Sequence, residues 1–211
     1  MMRVALIHAL RESVTPINAA FDAHWPEASR MNVLDDSLSA DRARDGQLSD
    51  ALIERFLVLG RYVRDAGADA ILFTCSAFGP AIDAVAADLR PLPVHKPNTA
   101  MIAAAGDFGR VGLLASFAPT LESMVREFNS AQTVVTCHCG GALEALQAGN
   151  GDEHDRIAAE AAITTLSECD VIALAQFSLA RAAKKVAQAT GKPVLTTPEC
   201  AVLSLRAEML K

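Results

Sequence analysis

Two side chains in this sequence stand where chemistry could be done, Cys75 and Gln176, and His8 is a third candidate. Cys75 ends the apolar run Ala70-Ile71-Leu72-Phe73, sits between Thr74 and Ser76, and is followed by Gly79-Pro80. A run this short, bounded by Gly67 before and Gly79-Pro80 after, reads as a buried strand handing over to a turn. Such a strand delivers a thiol to the sheet edge where parallel α/β proteins bind ligands. A thiol there works as nucleophile or as acid and base once N–H groups or a helix N-terminus stabilise its thiolate. The alternative is an inert buried thiol, since free cysteine is among the most buried residue types. His8 ends the run Val4-Ala5-Leu6-Ile7 and is expected at the same edge as a second acid or base, with a hydrogen-bonded structural histidine as the alternative.

Other reactive residues have plainer readings. Cys137-His138-Cys139, with His154-Asp155 further on, lacks the paired spacing and four ligands of structural zinc. Cys169 reads as core. Cys200 follows Thr196-Thr197-Pro198-Glu199 at a helix start, which turns it away from the role of a second thiol. Gly106, Gly109 and Gly112 precede a strand, whereas dinucleotide-binding glycines follow one. Arg181, Lys184 and Lys185 share helical spacing and read as a solvated face, with Arg181 early enough to approach a cleft. No metal, nicotinamide, flavin or nucleoside triphosphate is expected.

The elements that must position Cys75 alternate between strand and helix. Val4-Ala5-Leu6-Ile7 and residues 31–35 read as strands, with a helix from about Thr15-Pro16 between them. Asp36 to Gln47 reads as a polar loop able to lie over a cleft. Ser49 caps a helix whose apolar face carries Leu52, Ile53, Phe56, Leu59, Tyr62 and Val63. After the Cys75 strand come a helix through Ile82, Val85 and Leu89 and a short strand at Leu92-Pro93-Val94.

The pattern then repeats. Arg3-Val4-Ala5-Leu6-Ile7 recurs as Arg110-Val111-Gly112-Leu113-Leu114, and the same offset pairs Ser13 with Thr120, Ile17 with Met124 and Phe21 with Phe128. Asp69-Ala70-Ile71-Leu72-Phe73 recurs as Asp170-Val171-Ile172-Ala173-Leu174. The expected fold is therefore α/β, two similar lobes with parallel sheets flanked by helices, related by a pseudo-twofold axis. Residues 1–97 with 200–211 would form one lobe and 98–199 the other. At the position equivalent to Cys75 the second half carries Gln176, so a thiol confronts an amide across the cleft.

The whole-chain balance narrows the partners. A net charge of −6 without clustered Lys and Arg argues against nucleic acid. No apolar stretch reaches the roughly 18 to 20 residues of a membrane span, and the N-terminus lacks a signal peptide's layout. The expectation is a cytoplasmic protein whose five cysteines are reduced. A homo-oligomer is allowed but not specified.

With these motifs in place, the chain resembles the aspartate/glutamate/hydantoin racemase superfamily over essentially its full length. Thr74-Cys75-Ser76, Val111-Gly112-Leu113-Leu114-Ala115-Ser116 with Thr120, and the segment from Asp170 to Ser178 carry the resemblance. It implies two α/β lobes with the site between them and cofactor-independent chemistry at a carbon beside a carboxylate or carbonyl. It implies Cys75 as acid/base or nucleophile, with Thr74, Ser76, Ser116, Thr120 and Ser178 as donors to a small carboxylate-bearing substrate. Members with two cysteines use opposed thiols, and Gln176 departs from that pattern because an amide cannot abstract a carbon-bound proton. The superfamily also contains decarboxylases and maleate isomerases that work through cysteine, and a cleft that binds without catalysing is the third reading.

Overall fold

In the computed structural model, which describes residues 2–211, the alternation of strands and helices builds two parallel four-stranded sheets. The first half runs β1 (Arg3–His8), α1 (Val14–His24), β2 (Ser29–Leu34), α2 (Ser37–Asp45), α3 (Asp50–Asp65), β3 (Ala70–Phe73), α4 (Gly79–Asp88), β4 (Val94–His95) and α5 (Thr99–Ala104). The second runs β5 (Arg110–Ala115), α6 (Ala118–Val125), β6 (Thr133–His138), α7 (Ala142–Gln147), α8 (Gly151–Leu166), β7 (Val171–Leu174), α9 (Ala183–Thr190), β8 (Val194–Thr196) and α10 (Thr197–Met209). The strand orders are β2-β1-β3-β4 and β6-β5-β7-β8.

The sequence repeat is a structural repeat down to single hydrogen bonds. Val4 is paired with Ala70 as Val111 is with Val171. The Arg3 N–H donates to the Asp69 carboxylate at 2.7 Å, and the Arg110 N–H to Asp170 at 2.8 Å. Beyond the last residues of β3 and β7, Thr74 N–H reaches Ile7 O at 3.0 Å and Ala175 N–H reaches Leu114 O at 2.9 Å. Cys75 and Gln176, each the next residue, therefore leave their sheets at equivalent points.

Central strands are buried on both faces, which is why they read as continuous apolar runs. Ala5, Ile7, Ile71 and Phe73 pack with α3 and α4, while Val4, Leu6, Ala70 and Leu72 pack with α1 and α10. Phe56 of α3 stacks on Phe73 with ring centroids 5.2 Å apart and meets Phe78 at 4.8 Å. Each such pair adds about 0.5–1.5 kcal/mol beyond area burial. These rings grip the chain on both sides of Cys75. Opposite, α5 leaves the first sheet and covers the second through Met101, with Ala105 just past its end, and α10 leaves the second sheet and covers the first through Ala201, Val202 and Leu205.

The stretch expected as a loop at Asp36 to Gln47 is instead the helix α2. Its composition is polar, but Leu38 is fully buried, Arg55 of α3 bridges Asp35 and Asp41, and Gly46 ends the helix in the left-handed region at φ 67°. Tertiary anchoring overrides the weak local signal. The second strand begins two residues earlier than expected, and the fourth lies at Val94–His95 because Ile71 N–H takes the Pro93 carbonyl and leaves the residues before it as a turn.

Gly60 lies where α3 crosses α4, and a Cβ there would come 2.6 Å from Val85 Cγ1 and 3.3 Å from Leu89 Cδ1. Gly60→Ala is expected to destabilise by about 1–3 kcal/mol through overpacking, less the helix-propensity gain of about 1 kcal/mol. In urea unfolding, Val85→Ala should cost less in the Gly60→Ala background than in the wild type; additive losses would refute the close contact.

Candidate active site

The two strand ends meet at a cavity of about 210 Å³ whose wall includes Cys75, Gln176, Leu10, Phe117, Ser39 and Leu143. A recess of about 20 Å³, room for roughly one water, adjoins it and shares Cys75, Gln176 and Leu10. Ser13, Thr74, Ser76, Thr120 and Ser178 line that recess. The cavity wall is thus mostly apolar, with Asp36 and Gln147 at its exposed rim, and its floor is hydroxyl-rich.

Cys75 is half-buried. Burial pushes its thiol above the ordinary cysteine range, and the Ala77 N–H, which donates to sulfur, and the neighbouring Ser39 hydroxyl oppose this. Ser39 belongs to α2, is fixed by its own hydrogen bond to Ala9 O at 2.7 Å, and carries no sequence signal that would mark it for a site. Cys75 is the second residue after β3 and precedes the 3₁₀ turn Ser76–Phe78, so its sulfur stands beside N–H groups not yet committed to a helix.

Gln176 is held differently. Its Oε1 accepts the Ser116 N–H at 2.6 Å, the Ser116 hydroxyl at 3.0 Å and the Phe117 N–H at 3.2 Å. Phe117 is the residue before α6, so these donors sit at a helix start. Ser116, expected as a substrate donor, has its hydroxyl on Gln176 instead.

His8 is fully buried and absent from the walls of both the cavity and the recess. Its Nε2 lies 3.0 Å from Asn32 Oδ1, and Nδ1 lies 2.9 Å from Thr74 Oγ1 and 3.1 Å from Ser13 Oγ. The amide oxygen requires Nε2–H, which leaves Nδ1 to accept the Thr74 hydroxyl, and Ser13 donates to Leu10 O at 2.7 Å. That is the neutral tautomer, and burial holds its pKa below the ordinary value, with the Asn32 bond opposing. The structure therefore places the His8 ring behind Thr74, held by hydrogen bonds and off the cavity walls.

The other hydroxyls divide. Thr120 and Ser178 line the recess, and the Ser178 Oγ is buried without a partner among the described residues. Ser76 lines it too, but donates to Ala175 O at 2.9 Å and so ties the two halves together. Ser13 was legible in principle, because the repeat pairs it with Thr120. Arg181 lies away from this cavity, bound to Asp155, which also takes His154. Burial and then Cys137 push Cys139 up to about 12, and burial and then Glu199 push Cys200 up to about 11, so neither offers a thiolate near neutrality. Among the described residues no group of three or more His, Cys, Asp or Glu could hold a metal, and no helix is long and apolar enough to cross a membrane.

Duplicated parallel sheets whose matching strand ends enclose a thiol-bearing cavity define the two-lobed α/β class with its site between the halves. The chain belongs to the Asp/Glu/hydantoin racemase family, whose model matches residues 12–205. Membership places it among racemases and isomerases. Among solved structures it is similar to glutamate racemase from Francisella tularensis in complex with D-glutamate, with TM-score 0.78 and 16% identity over 99% of this chain and 81% of that one. It is also similar to allantoin racemase from Klebsiella pneumoniae, with TM-score 0.77 and 19% identity over 100% and 88%. Against a mutant of the Nocardia farcinica maleate cis-trans isomerase that carries a covalently bound succinylcysteine intermediate, the TM-score is 0.65 at 17% identity over 99% and 92%. No curated protein matches the sequence.

Ser39→Ala removes a hydroxyl beside the sulfur that favours the thiolate, so the pH at which Cys75 becomes reactive is expected to move upward. Peptide-mapped alkylation rates against pH measure this; an unchanged or lowered midpoint would refute the influence of Ser39. The second expectation concerns His8. Because its folded pKa lies below the unfolded value of 6.5, the unfolded chain binds the extra proton and stability falls as pH drops below about 6.5. His95, also depressed by burial, adds to the slope. In thermal melts, His8→Gln should shallow this dependence while costing about 1–3 kcal/mol at neutral pH.

Proposed function

We propose that this protein is a cofactor-independent isomerase that moves a proton at the carbon beside a carboxylate or carbonyl of a small amino-acid-like or hydantoin-like substrate, with Cys75 as acid and base. The observation that carries this reading is the setting of Cys75, a strand-end thiol on the wall of a cavity with the Ala77 N–H and the Ser39 hydroxyl beside its sulfur. In the thiolate form Cys75 takes the Cα proton, becoming a thiol and leaving the electron pair on the substrate as an enolate. The same S–H then returns a proton to carbon. Hydroxyls at the floor, Thr120 and the unpartnered Ser178 foremost, are placed to donate to the developing oxyanion. Inversion requires a proton on the far face, and Gln176 has none to exchange with carbon. Water or solvent must supply it.

A second reading is favoured by the neutrality of Gln176. With a single titratable group at the strand ends, the site suits steps confined to one face: protonation after decarboxylation, or thiolate addition to a double bond, rotation and elimination. A binding module without turnover is the third.

Incubation in D₂O with amino acids, hydantoins, substituted malonates and maleate separates these outcomes. Deuterium at Cα is expected, with CO₂ release or a succinyl adduct on Cys75 indicating the one-face alternatives and tight binding without either indicating a binding module. Cys75→Ala should lower turnover by about 10²–10⁴-fold. Because burial raises the thiol's pKa, the wild-type rate should still be climbing at a pH where an exposed cysteine has reached its plateau. Full turnover by Cys75→Ala would overturn the assignment.

A further inference from the structure

The donors around Gln176 settle which end of its amide faces the ligand. Three hydrogens converge on one atom, from the Ser116 N–H, the Ser116 hydroxyl and the Phe117 N–H. Two of them are backbone donors that cannot rotate away. Only an acceptor satisfies such a set, and a buried donor left unmet is costly. An amide turned the other way would bring its own NH₂ against those N–H groups. The oxygen is therefore captive, and planarity sends Nε2 in the opposite direction. No acceptor among the described residues meets Nε2, which is not among the fully buried unpartnered atoms, while the side chain borders both cavity and recess together with Cys75.

The geometry points to Gln176 as a specificity-determining residue, its Nε2 a locked donor on the cavity wall that takes a carboxylate or carbonyl oxygen of a ligand presented to Cys75, with Ser116 a positioning residue acting through it. This deepens the reading of Cys75 as the reactive group and rests on it only in sharing the cavity. The charge pattern agrees. Of the residues lining the cavity and recess, the charged one is Asp36, and its carboxylate is held by Arg11 at 2.8 Å. A ligand oxygen near Cys75 thus finds no cation on these walls, and an orienting N–H on the second half's strand end becomes the group that distinguishes an oxygen-bearing ligand from an apolar one.

Cys75 alkylation reads this without requiring turnover. Iodoacetate and iodoacetamide both lose iodide to the thiolate, but the first carries a full carboxylate for Nε2 to hold. The ratio of their rate constants at Cys75, mapped by peptide mass spectrometry with Cys200 as internal reference, is measured in the wild type, Gln176→Leu, Gln176→Glu and Ser116→Ala. Gln176→Leu should lower the iodoacetate-to-iodoacetamide ratio about tenfold, as loss of one charge-assisted hydrogen bond predicts. Gln176→Glu should lower it further at neutral pH and recover as the pH falls, because one carboxylate oxygen fills the donor set and the other faces the cavity until protonated. Ser116→Ala should lower it in part, and Ser116→Thr should restore it. If Gln176→Leu does not fold, the near-isosteric Gln176→Glu makes the same comparison. A ratio at Cys75 indifferent to Leu and Glu overturns the inference. Loss of the ratio effect with Cys75-dependent turnover intact would sink the role of Gln176 only, and the expected ratios with full turnover in Cys75→Ala would sink the reading of Cys75 only.

Discussion

The structure depends on a constraint of register: β3 must lie beside β1, and β7 beside β5, so that all four stop at one edge of their sheets. The pairings Val4 with Ala70 and Val111 with Val171 fix this, and the Asp69 and Asp170 carboxylates pin the opposite ends by accepting the Arg3 and Arg110 N–H groups. A slip of one residue would exchange the side chains of the two packed faces and move Cys75 and Gln176 to the wrong sides. Because both faces of these strands are apolar and covered, such slips are strongly disfavoured. The strand ends are consequently placed to within a residue before any loop contributes.

What the two ends carry differs, and the surroundings differ accordingly. Around Cys75 the polar neighbours are few and one of them, the Ser39 hydroxyl, comes from a helix of the same half. Around Gln176 three donors converge, and the side chain supplies the acceptor they need. The second half therefore presents a neutral, fixed N–H where the first presents a titratable sulfur. Asymmetry of this kind, laid on a symmetric frame, leaves one titratable group between the two facing strand ends. The exchange of α5 and α10 between the sheets, together with the bond from Ser76 to Ala175 O, couples the halves so that this opposition is held in place.

Much of the site was legible because strand ends can be read from apolar runs and turn residues, and because a repeat transfers what is learned in one half to the other. Cys75 and Gln176 follow in that way, Thr120 and Ser178 come from the family resemblance, and the structure brings all four to one cavity and its recess. The same reasoning stopped short at Ser13, whose partner Thr120 already marked it. His8 was placed at the right edge, but which side of the strand end its ring occupies depends on Asn32 and Thr74, far apart in sequence. The resemblance implies Ser116 as a donor to substrate, whereas its hydroxyl donates to Gln176, a preference that only the facing side chain could decide.

Periodicity, breakers and internal repetition determined from sequence that the chain is a duplicated parallel α/β protein with a thiol and an amide at matching strand ends, because those features follow from local burial patterns. Tertiary structure decided that Asp36 to Gln47 folds as a helix over the cavity, that Ser39 reaches the sulfur, that His8 stays neutral behind Thr74, and which way the Gln176 amide turns. Each of these depends on what a polar side chain meets across tens of residues of chain, and polar groups take the partners that burial leaves them.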